Sequence, residues 1–304
     1  MGKIAFVFPG QGSQYTGMGR ELCEISAAAA KIFRAADECR PGTSEQCFSG
    51  SEEQLKETKV TQPCIFTVEL AAAAALTEAG IRPDMTAGFS LGELAAVTFA
   101  GAVTLSDGLS LVCRRGELMQ QAAEQVSTSM AAVLRLDNAA VEALCADFDG
   151  VYPVNYNCPG QVSVAGLADR MPDFLAAVKA AGGRAVPLKV SGGFHSPFME
   201  GAALAFSEVL ENVSFSAPEM SLYADYTGKL YDDAKMLLTK QISNPVRWEK
   251  IVRNMIAAGA DTFIEAGPGN TLAGLIKKID PSARTFSVSD KASLENTIRE
   301  VLGC

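Results

Sequence analysis

The pattern of apolar and polar positions divides the chain into parts of different character. Residues 1–124 alternate short apolar runs with longer helical patterns, and the first run, over residues 1–8, predicts a β-strand. An alanine-rich pattern over residues 68–79 predicts a closely packed helix, and an apolar run over residues 85–88 predicts another strand. Strands that alternate with helices are typical of an α/β fold.

A different order of elements follows between residues 125 and 190. The pattern predicts a strand, a helix, two strands, a helix and a strand, over residues 130–136, 139–148, 152–156, 161–165, 171–181 and 184–189. The order βαββαβ is typical of a ferredoxin-like unit. Beyond it, a strand over residues 262–265, a Gly-Pro-Gly turn and a helix over residues 271–279 resume the first pattern. We therefore expect a large domain of residues 1–124 and 191–304, with residues 125–190 inserted as a subdomain.

The strand over residues 85–88 leads into the motif Gly88-Phe89-Ser90-Leu91-Gly92, which an apolar helical pattern follows. A serine on a sharp strand-to-helix turn needs small neighbours, and the motif supplies two glycines. Such a nucleophile elbow predicts an α/β-hydrolase-like large domain with a central, mostly parallel sheet. The N–H of Leu91, at the start of the helix, is a candidate oxyanion donor. A plain glycine-serine turn is the alternative interpretation.

His195 is the only histidine of the chain. A serine hydroxyl needs a base within hydrogen-bond reach to act as a nucleophile, and histidine is the usual base. His195 follows two glycines and precedes a proline, which predicts a loop, where catalytic groups often lie. A lone histidine is more often structural, but together with Ser90 it indicates nucleophilic catalysis.

With these motifs the chain resembles the malonyl-CoA:acyl carrier protein transacylases of fatty acid synthesis and the related acyltransferase domains of polyketide synthases. The resemblance runs nearly end to end, through the Ser90 and His195 motifs and five further stretches over residues 8–14, 114–120, 157–161, 244–248 and 265–269. It implies that Ser90 carries the acyl group as an ester, that His195 is its base, and that the backbone N–H groups of Gln11 and Leu91 form the oxyanion hole. The acyl group would pass from malonyl-CoA to the phosphopantetheine thiol of an acyl carrier protein.

The resemblance also implies residues for substrate choice. It selects Arg115 over its neighbour Arg114 as the group that binds the malonyl carboxylate, because a guanidinium can bind a carboxylate through two parallel hydrogen bonds. Asn157 contributes a side-chain amide near the pocket or is simply a turn residue. Phe194 favours malonyl over methylmalonyl, and the backbone carbonyl of Arg247 orients the histidine.

One position departs from the family pattern. Phe89 stands where a histidine usually precedes the serine. The aromatic ring keeps the bulk but loses the polar atoms, so the local hydrogen bonding and the pocket floor depart from the family pattern, and we interpret the change as tuning of the site.

Composition and charge limit the remaining possibilities. The 304 residues are 48% hydrophobic, enough for a large core, and we expect no apolar run long enough to span a membrane and no signal peptide. A cytoplasmic protein is therefore expected. The eight cysteines are scattered without a CxxC pair, which predicts reduced thiols and neither a metal site nor a cofactor.

The formal charge of −9 argues against nucleic acid as a partner. Because carrier proteins are also acidic, docking would need a local basic patch, for which the candidates are Lys189, Arg247, Lys250, Arg253, Lys277 and Lys278. We expect a monomer that binds malonyl-CoA and acyl carrier protein. Three alternatives remain open: an acyltransferase that serves a polyketide synthase, an acyl hydrolase with the same serine and histidine, and a catalytically silent scaffold.

Overall fold

The structure is a computed structural model that describes residues 2–188, 190 and 192–303. In these residues the strands are β1 Lys3–Phe8, β2 Met85–Gly88, β3 Thr128–Leu134, β4 Val151–Cys158, β5 Gln161–Leu167, β6 Arg184–Pro187, β7 Ser221–Tyr223, β8 Ala260–Ala266 and β9 Arg284–Val288. The helices before β3 are α1 Arg20–Ile25, α2 Ala27–Cys39, α3 Thr43–Ser49, α4 Thr58–Glu78, α5 Gly92–Phe99 and α6 Leu105–Gln125. Those after it are α7 Asn138–Ala146, α8 Met171–Ala180, α9 Glu200–Leu210, α10 Ala234–Ser243, α11 Trp248–Ala257, α12 Thr271–Ile279 and α13 Lys291–Leu302.

The larger sheet has five parallel strands in the order β7-β2-β1-β8-β9. The central strand β1 is an apolar run whose last four residues, Ala5 to Phe8, are fully buried. A run without alternation is expected here, because helices cover both faces of a parallel sheet. The mixed α/β fold with a parallel sheet, as predicted, is therefore confirmed.

The smaller sheet has four antiparallel strands in the order β4-β5-β3-β6. Its elements follow the chain as β3, α7, β4, β5, α8 and β6, which is the order that the sequence pattern predicts. One face packs on α7 and α8 through residues such as Val133 and Phe174, whereas Met130, Val154 and Ala165 join the core of the large sheet. The last predicted strand extends to Lys189, which lies outside the described residues.

Helix α4 is the apolar centre of the fold. Its 21 residues extend well beyond the predicted helix over residues 68–79, and it packs against α2 and α6. By length and composition alone α4 could cross a membrane, so the expectation that no apolar run is long enough is wrong. However, 89% of its most apolar stretch is buried inside the protein, as expected of a helix in a protein core.

The carboxyl ends of the parallel strands meet at one edge of the sheet. The loop with Gln11 follows β1, Ser90 follows β2, and Asp225 follows β7. Binding sites in open α/β sheets lie at this edge. The fold thus brings together residues from three distant parts of the sequence.

Candidate active site

Ser90 lies on a sharp turn between β2 and α5. Its φ angle is 57°, in the left-handed region that residues with a Cβ rarely adopt. The flanking glycines are required by close backbone approach: a Cβ on Gly88 would lie 1.9 Å from the carbonyl group of Gly92, and one on Gly92 would lie 2.2 Å from the oxygen of Phe8. The structure therefore contains the elbow that the GxSxG pattern predicts.

His195 lies beside this serine. Its Nε2 atom is 2.6 Å from Oγ of Ser90, and its Nδ1 atom is 2.8 Å from the backbone oxygen of Gln241. Because a carbonyl only accepts hydrogen bonds, Nδ1 carries the proton and Nε2 is free to accept from the serine hydroxyl. Burial, and then the positive charge of Arg115, lower the pKa of His195 to about 4. The imidazole is therefore neutral, and able to act as a base, near pH 7.

The carbonyl that orients His195 is not the predicted one. The oxygen of Arg247 accepts the N–H of Ile251 within the first turn of α11, and the Arg247 side chain donates to the oxygen of Tyr226. Gln241 lies in the last turn of α10, where backbone carbonyls have no partner within the helix. The prediction of Arg247 is wrong, because an unpaired helix-end carbonyl six residues earlier faces the histidine.

Arg115 is almost completely buried, with 1% of its surface exposed, next to the nucleophile. One terminal nitrogen donates to Oε1 of Gln62 at 2.8 Å, and the other donates to Oε1 of Gln241 at 2.9 Å and to Oγ of Ser90 at 3.5 Å. Arg114, in contrast, is exposed and pairs with Glu117 at 2.8 Å. The structure thus separates the two neighbouring arginines as the resemblance implies.

The groups that contact Arg115 do not neutralise its positive charge. Its three acceptors are two amide oxygens and a hydroxyl, and no carboxylate of the described residues lies within ion-pair distance of the guanidinium. Burial lowers the pKa of Arg115 to about 10, although Glu93 and Asp225 act in the opposite direction. The group is therefore positive near pH 7. A buried cation without an anionic partner is costly, and it favours a ligand that brings a negative charge.

Gln62 and Gln241 were not among the predicted site residues. Both lie in helices, α4 and α10, and carry a side chain that is common on helix surfaces. Only the packing of these helices against α6 and the serine turn brings the two amides together at Arg115. No local signal in the sequence distinguishes them from other glutamines.

Two adjoining cavities open at the site. The first has about 510 Å³ of empty space, its open mouth included, and contains Ser90 and His195. The second has about 670 Å³ in the same sense and contains Asn157. Both are lined by Gln11, Phe89, Asn155 and Leu188. The lining of the first is completed by Gln62, Met119, Met130, Val190 and Phe194.

The remaining predicted residues lie around these cavities. Nδ2 of Asn157 donates to Ser163 at 3.1 Å, and its buried Oδ1 has no hydrogen-bond partner among the described residues. Phe89 packs edge-on against Trp248, with ring centroids 5.7 Å apart. The backbone N–H groups of Gln11 and Leu91 donate no hydrogen bond within the described part of the chain. Gln11 lines both cavities, whereas Leu91 is buried and lines neither.

Metal ligands are not clustered in the described residues, where no three His, Cys, Asp or Glu side chains are grouped to hold an ion. The seven cysteines of residues 2–188, 190 and 192–303 are free thiols, as predicted, and the eighth, Cys304, lies outside the described residues.

The serine elbow and its histidine are the groups of a serine nucleophile site, and a family model described as the acyl transferase domain matches residues 5–299. The chain belongs to this family. The malonyl CoA-acyl carrier protein transacylase of Bacillus subtilis strain 168 is 39% identical over 308 residues, which cover 98% of this chain and 97% of that protein.

Solved structures agree with this assignment. The crystal structure of a malonyl CoA-acyl carrier protein transacylase from Clostridium perfringens has a TM-score of 0.96 and 34% identity, and it covers 99% of this chain and 98% of that one. A malonyl-transacylase in complex with a holo type II polyketide synthase acyl-carrier protein has a TM-score of 0.94 and 34% identity, with 98% and 99% covered.

Proposed function

We propose that this chain transfers a malonyl group from malonyl-CoA to the phosphopantetheine thiol of an acyl carrier protein, through an ester on Ser90. One observation carries the proposal: Arg115, a buried cation without an anionic partner, lies 3.5 Å from the hydroxyl of Ser90. A substrate that brings a carboxylate close to its reacting carbonyl would occupy both groups at once. The names of the similar proteins support the same reaction.

In the first half-reaction, Nε2 of His195 removes the proton of Ser90 as Oγ attacks the thioester carbonyl. The negative charge that develops on the carbonyl oxygen is stabilised by the N–H groups of Gln11 and Leu91. When the tetrahedral intermediate collapses, the carbon–sulfur bond breaks and the imidazolium returns the proton to the leaving thiol. Ser90 then carries the malonyl ester, and His195 is neutral again.

The second half-reaction reverses these roles with a different thiol. His195 takes the proton of the phosphopantetheine thiol, whose sulfur attacks the ester carbonyl, and Ser90 regains a proton as the C–O bond breaks. The backbone carbonyl of Gln241 fixes the imidazole tautomer in both halves, so no carboxylate is needed for that role. The cycle consumes and releases no other group, and no cofactor takes part.

Malonyl selectivity rests on Arg115. A malonyl group differs from an acetyl group by one carboxylate, and charge-assisted hydrogen bonds contribute about 1.5–3 kcal/mol each. One such bond would favour malonyl by about tenfold, and two by more than about a hundredfold. Phe194, which lines the smaller cavity, would restrict the space for a branched acyl group.

The second cavity would receive the pantetheine arm, and its rim offers a place for an acidic carrier. Nζ of Lys278 donates to Gln161, which lines this cavity, at 3.1 Å. Lys277 lies next to it in the last turn of α12, whereas Arg253 is paired with Glu249 at 2.7 Å. Of the other candidates, Lys189 lies outside the described residues. Carriers of fatty acid synthesis and of polyketide synthesis would both fit this description.

The architecture extends the proposal. We infer that residues 125–190 form a ferredoxin-like subdomain inserted in an α/β-hydrolase-like domain of residues 1–124 and 191–304. Its sheet order, β4-β5-β3-β6, supports this interpretation. The two central strands, β5 and β3, each begin one of the two βαβ units of such a fold. The protein is further proposed to act as a cytoplasmic monomer.

Intact mass spectrometry tests the function. The protein is incubated briefly with malonyl-CoA or acetyl-CoA, and a holo acyl carrier protein is then added. We expect a malonyl adduct that moves to the carrier, and none on Ser90→Ala. An adduct that is lost to water at the same rate with and without the carrier would indicate a hydrolase, and the absence of any adduct would indicate a silent scaffold.

A further inference from the structure

Both backbone polar groups of Ser90 are held by side chains from distant parts of the chain. Its N–H donates to Oδ2 of Asp225 at 2.7 Å, across 135 positions of sequence. Its carbonyl accepts from Nε2 of Gln241, across 151 positions, and also from the backbone N–H of Glu93 at 3.1 Å in the first turn of α5. The same Nε2 donates to Oδ2 of Asp225 at 3.0 Å. The three residues therefore form a closed ring of hydrogen bonds around the backbone of the nucleophile.

This ring surrounds a strained residue. Ser90 has a φ angle of 57°, and a residue with a Cβ keeps such a conformation only where its surroundings enforce it. The glycines on either side remove steric conflict, but they supply no force that holds Ser90 in place. The two hydrogen bonds to its own N–H and carbonyl do supply it.

Asp225 is itself fixed in position. It is fully buried just after β7, and its backbone N–H donates to Oε1 of Glu93 at 3.0 Å, the same oxygen that accepts the hydroxyl of Tyr231 at 2.8 Å. A buried carboxyl group in a fold is costly unless its hydrogen bonds compensate. Burial and the hydrogen bond to Glu93 therefore fix the position of Asp225 beside Ser90.

The carboxyl group acts as a hydrogen-bond acceptor. Both bonds fall on Oδ2, whereas Oδ1 has no hydrogen-bond partner among the described residues. Oδ2 can accept whether the group is ionised or carries a proton on Oδ1. An amide oxygen at the same place could therefore do the same.

We propose that Asp225 is a positioning residue for the nucleophile: it holds the strained backbone of Ser90 through the serine N–H and through the amide of Gln241, so that the hydroxyl stays aligned with His195. The proposal rests on the proposed function in that Ser90 is the nucleophile. It assigns the alignment of the serine to a side chain that touches neither the substrate nor the reacting atoms.

Removing the acceptor should slow acylation without changing substrate choice. Asp225→Ala leaves the N–H of Ser90 unpaired, and a nucleophile that is misplaced by a fraction of an ångström to an ångström loses about 10- to 100-fold in rate. Arg115 keeps its bond to Gln62, so the rates with malonyl-CoA and acetyl-CoA should fall by the same factor. Asp225→Asn, which keeps an oxygen acceptor, should restore most of the rate.

The experiment measures single-turnover acylation of the full chain with each acyl-CoA, and in parallel the labelling of Ser90 by a serine-reactive fluorophosphonate. The fluorophosphonate reports on the serine itself, so the proposal can be tested even if malonyl transfer fails. Asp225→Leu, of similar size, is the second variant without an acceptor, and circular dichroism gives the folded fraction. The matched control is Asp137→Ala, which removes an exposed carboxylate that caps α7 through the N–H of Ala140 at 2.8 Å.

We expect both rates to fall in Asp225→Ala and Asp225→Leu, to recover in Asp225→Asn, and to stay unchanged in Asp137→Ala. Three results would overturn the proposal: unchanged labelling in the folded alanine and leucine variants, an asparagine variant as slow as alanine, or a loss confined to malonyl-CoA. The last would assign Asp225 to the Arg115 pocket instead of the nucleophile. Absence of acylation in the unaltered chain, with normal labelling of Ser90, would contradict only the proposed function.

Discussion

Ser90 and His195 face each other at 2.6 Å, and both have positive φ angles, 57° and 60° respectively. The two residues are separated by 105 positions, so only the fold brings them together. Each holds a conformation that is rarely adopted by residues with a Cβ, and such strain is concentrated at functional sites. The contact between the hydroxyl and the imidazole thus joins two residues whose backbone is strained.

The pH dependence of acylation should reflect the lowered pKa of His195. Burial and Arg115 lower it from 6.5 to about 4, so the base is neutral above that pH. We expect the single-turnover rate to be nearly constant from about pH 5.5 to 8 and to fall at lower pH, where the imidazole is protonated. A midpoint close to 6.5 would show that the histidine is more exposed to water than the structure indicates. His195→Ala should slow acylation by about 10²- to 10⁴-fold throughout.

Arg115 and Arg114 form a matched pair of sites. Arg115→Ala should reduce the preference for malonyl-CoA over acetyl-CoA by more than about a hundredfold, because the carboxylate loses two charge-assisted hydrogen bonds. Arg114→Ala removes an exposed arginine that pairs with Glu117, and it should leave the preference unchanged. The ratio of the two acylation rates measures the effect. Equal losses with both substrates in Arg115→Ala would show that the arginine is structural.

Glu69 should destabilise the fold as the pH rises. This carboxyl group is fully buried, neither oxygen has a hydrogen-bond partner among the described residues, and burial and then Glu265 raise its pKa well above 4.5. The folded state therefore retains a proton that the unfolded state loses above pH 4.5. As a result, the free energy of unfolding falls as the pH increases towards the folded-state pKa.

Glu69→Gln removes this dependence. Relative to the unaltered chain, the variant should gain more stability at pH 8 than at pH 4, because its amide does not titrate. Thermal or urea unfolding at the two pH values measures the difference, and the exposed Glu208→Gln is the control. If the variant changes the free energy of unfolding by the same amount at both pH values, the pKa of Glu69 does not differ between the folded and unfolded states.

The glycine before the serine turn should tolerate no side chain. A Cβ on Gly88 would meet backbone atoms of Gly92 at 1.9 Å, so Gly88→Ala should prevent folding or abolish labelling of Ser90 by a fluorophosphonate. Gly274 lies inside α12 with no atom within 4 Å of its Cβ position, and Gly274→Ala should stabilise the helix by about 0.5–1 kcal/mol. Normal labelling in Gly88→Ala would contradict the geometry of the turn.

Much of the fold could be predicted from local patterns. The order of the elements between residues 125 and 190 matches the structure, because amphipathic strands and helices leave a periodic signal. The predicted helix is shorter than α4, whose first half contains Thr61 and Pro63, residues that are weak helix signals. There, burial between α2 and α6 outweighs intrinsic propensity.

The functional site could be predicted only in part from local sequence patterns. Ser90, His195 and Arg115 are identified by motifs, since each motif is short and contiguous in the sequence. The carbonyl that orients His195 was predicted to be that of Arg247, but it belongs to Gln241. Every residue has the same backbone carbonyl, so the type of residue does not show which one accepts the hydrogen bond. The direction of the Gln241 carbonyl depends on where helix α10 ends, which is set by packing.

The sequence by itself determined the chemical groups: a serine between two glycines, a single histidine and a pair of arginines. The tertiary structure decided which of these groups meet and in what state of charge. It buried one arginine and exposed the other, placed two amides and no carboxylate against the buried one, and enclosed the histidine so that it stays neutral. Burial and distance are properties of contacts between remote segments, and local sequence patterns cannot encode them.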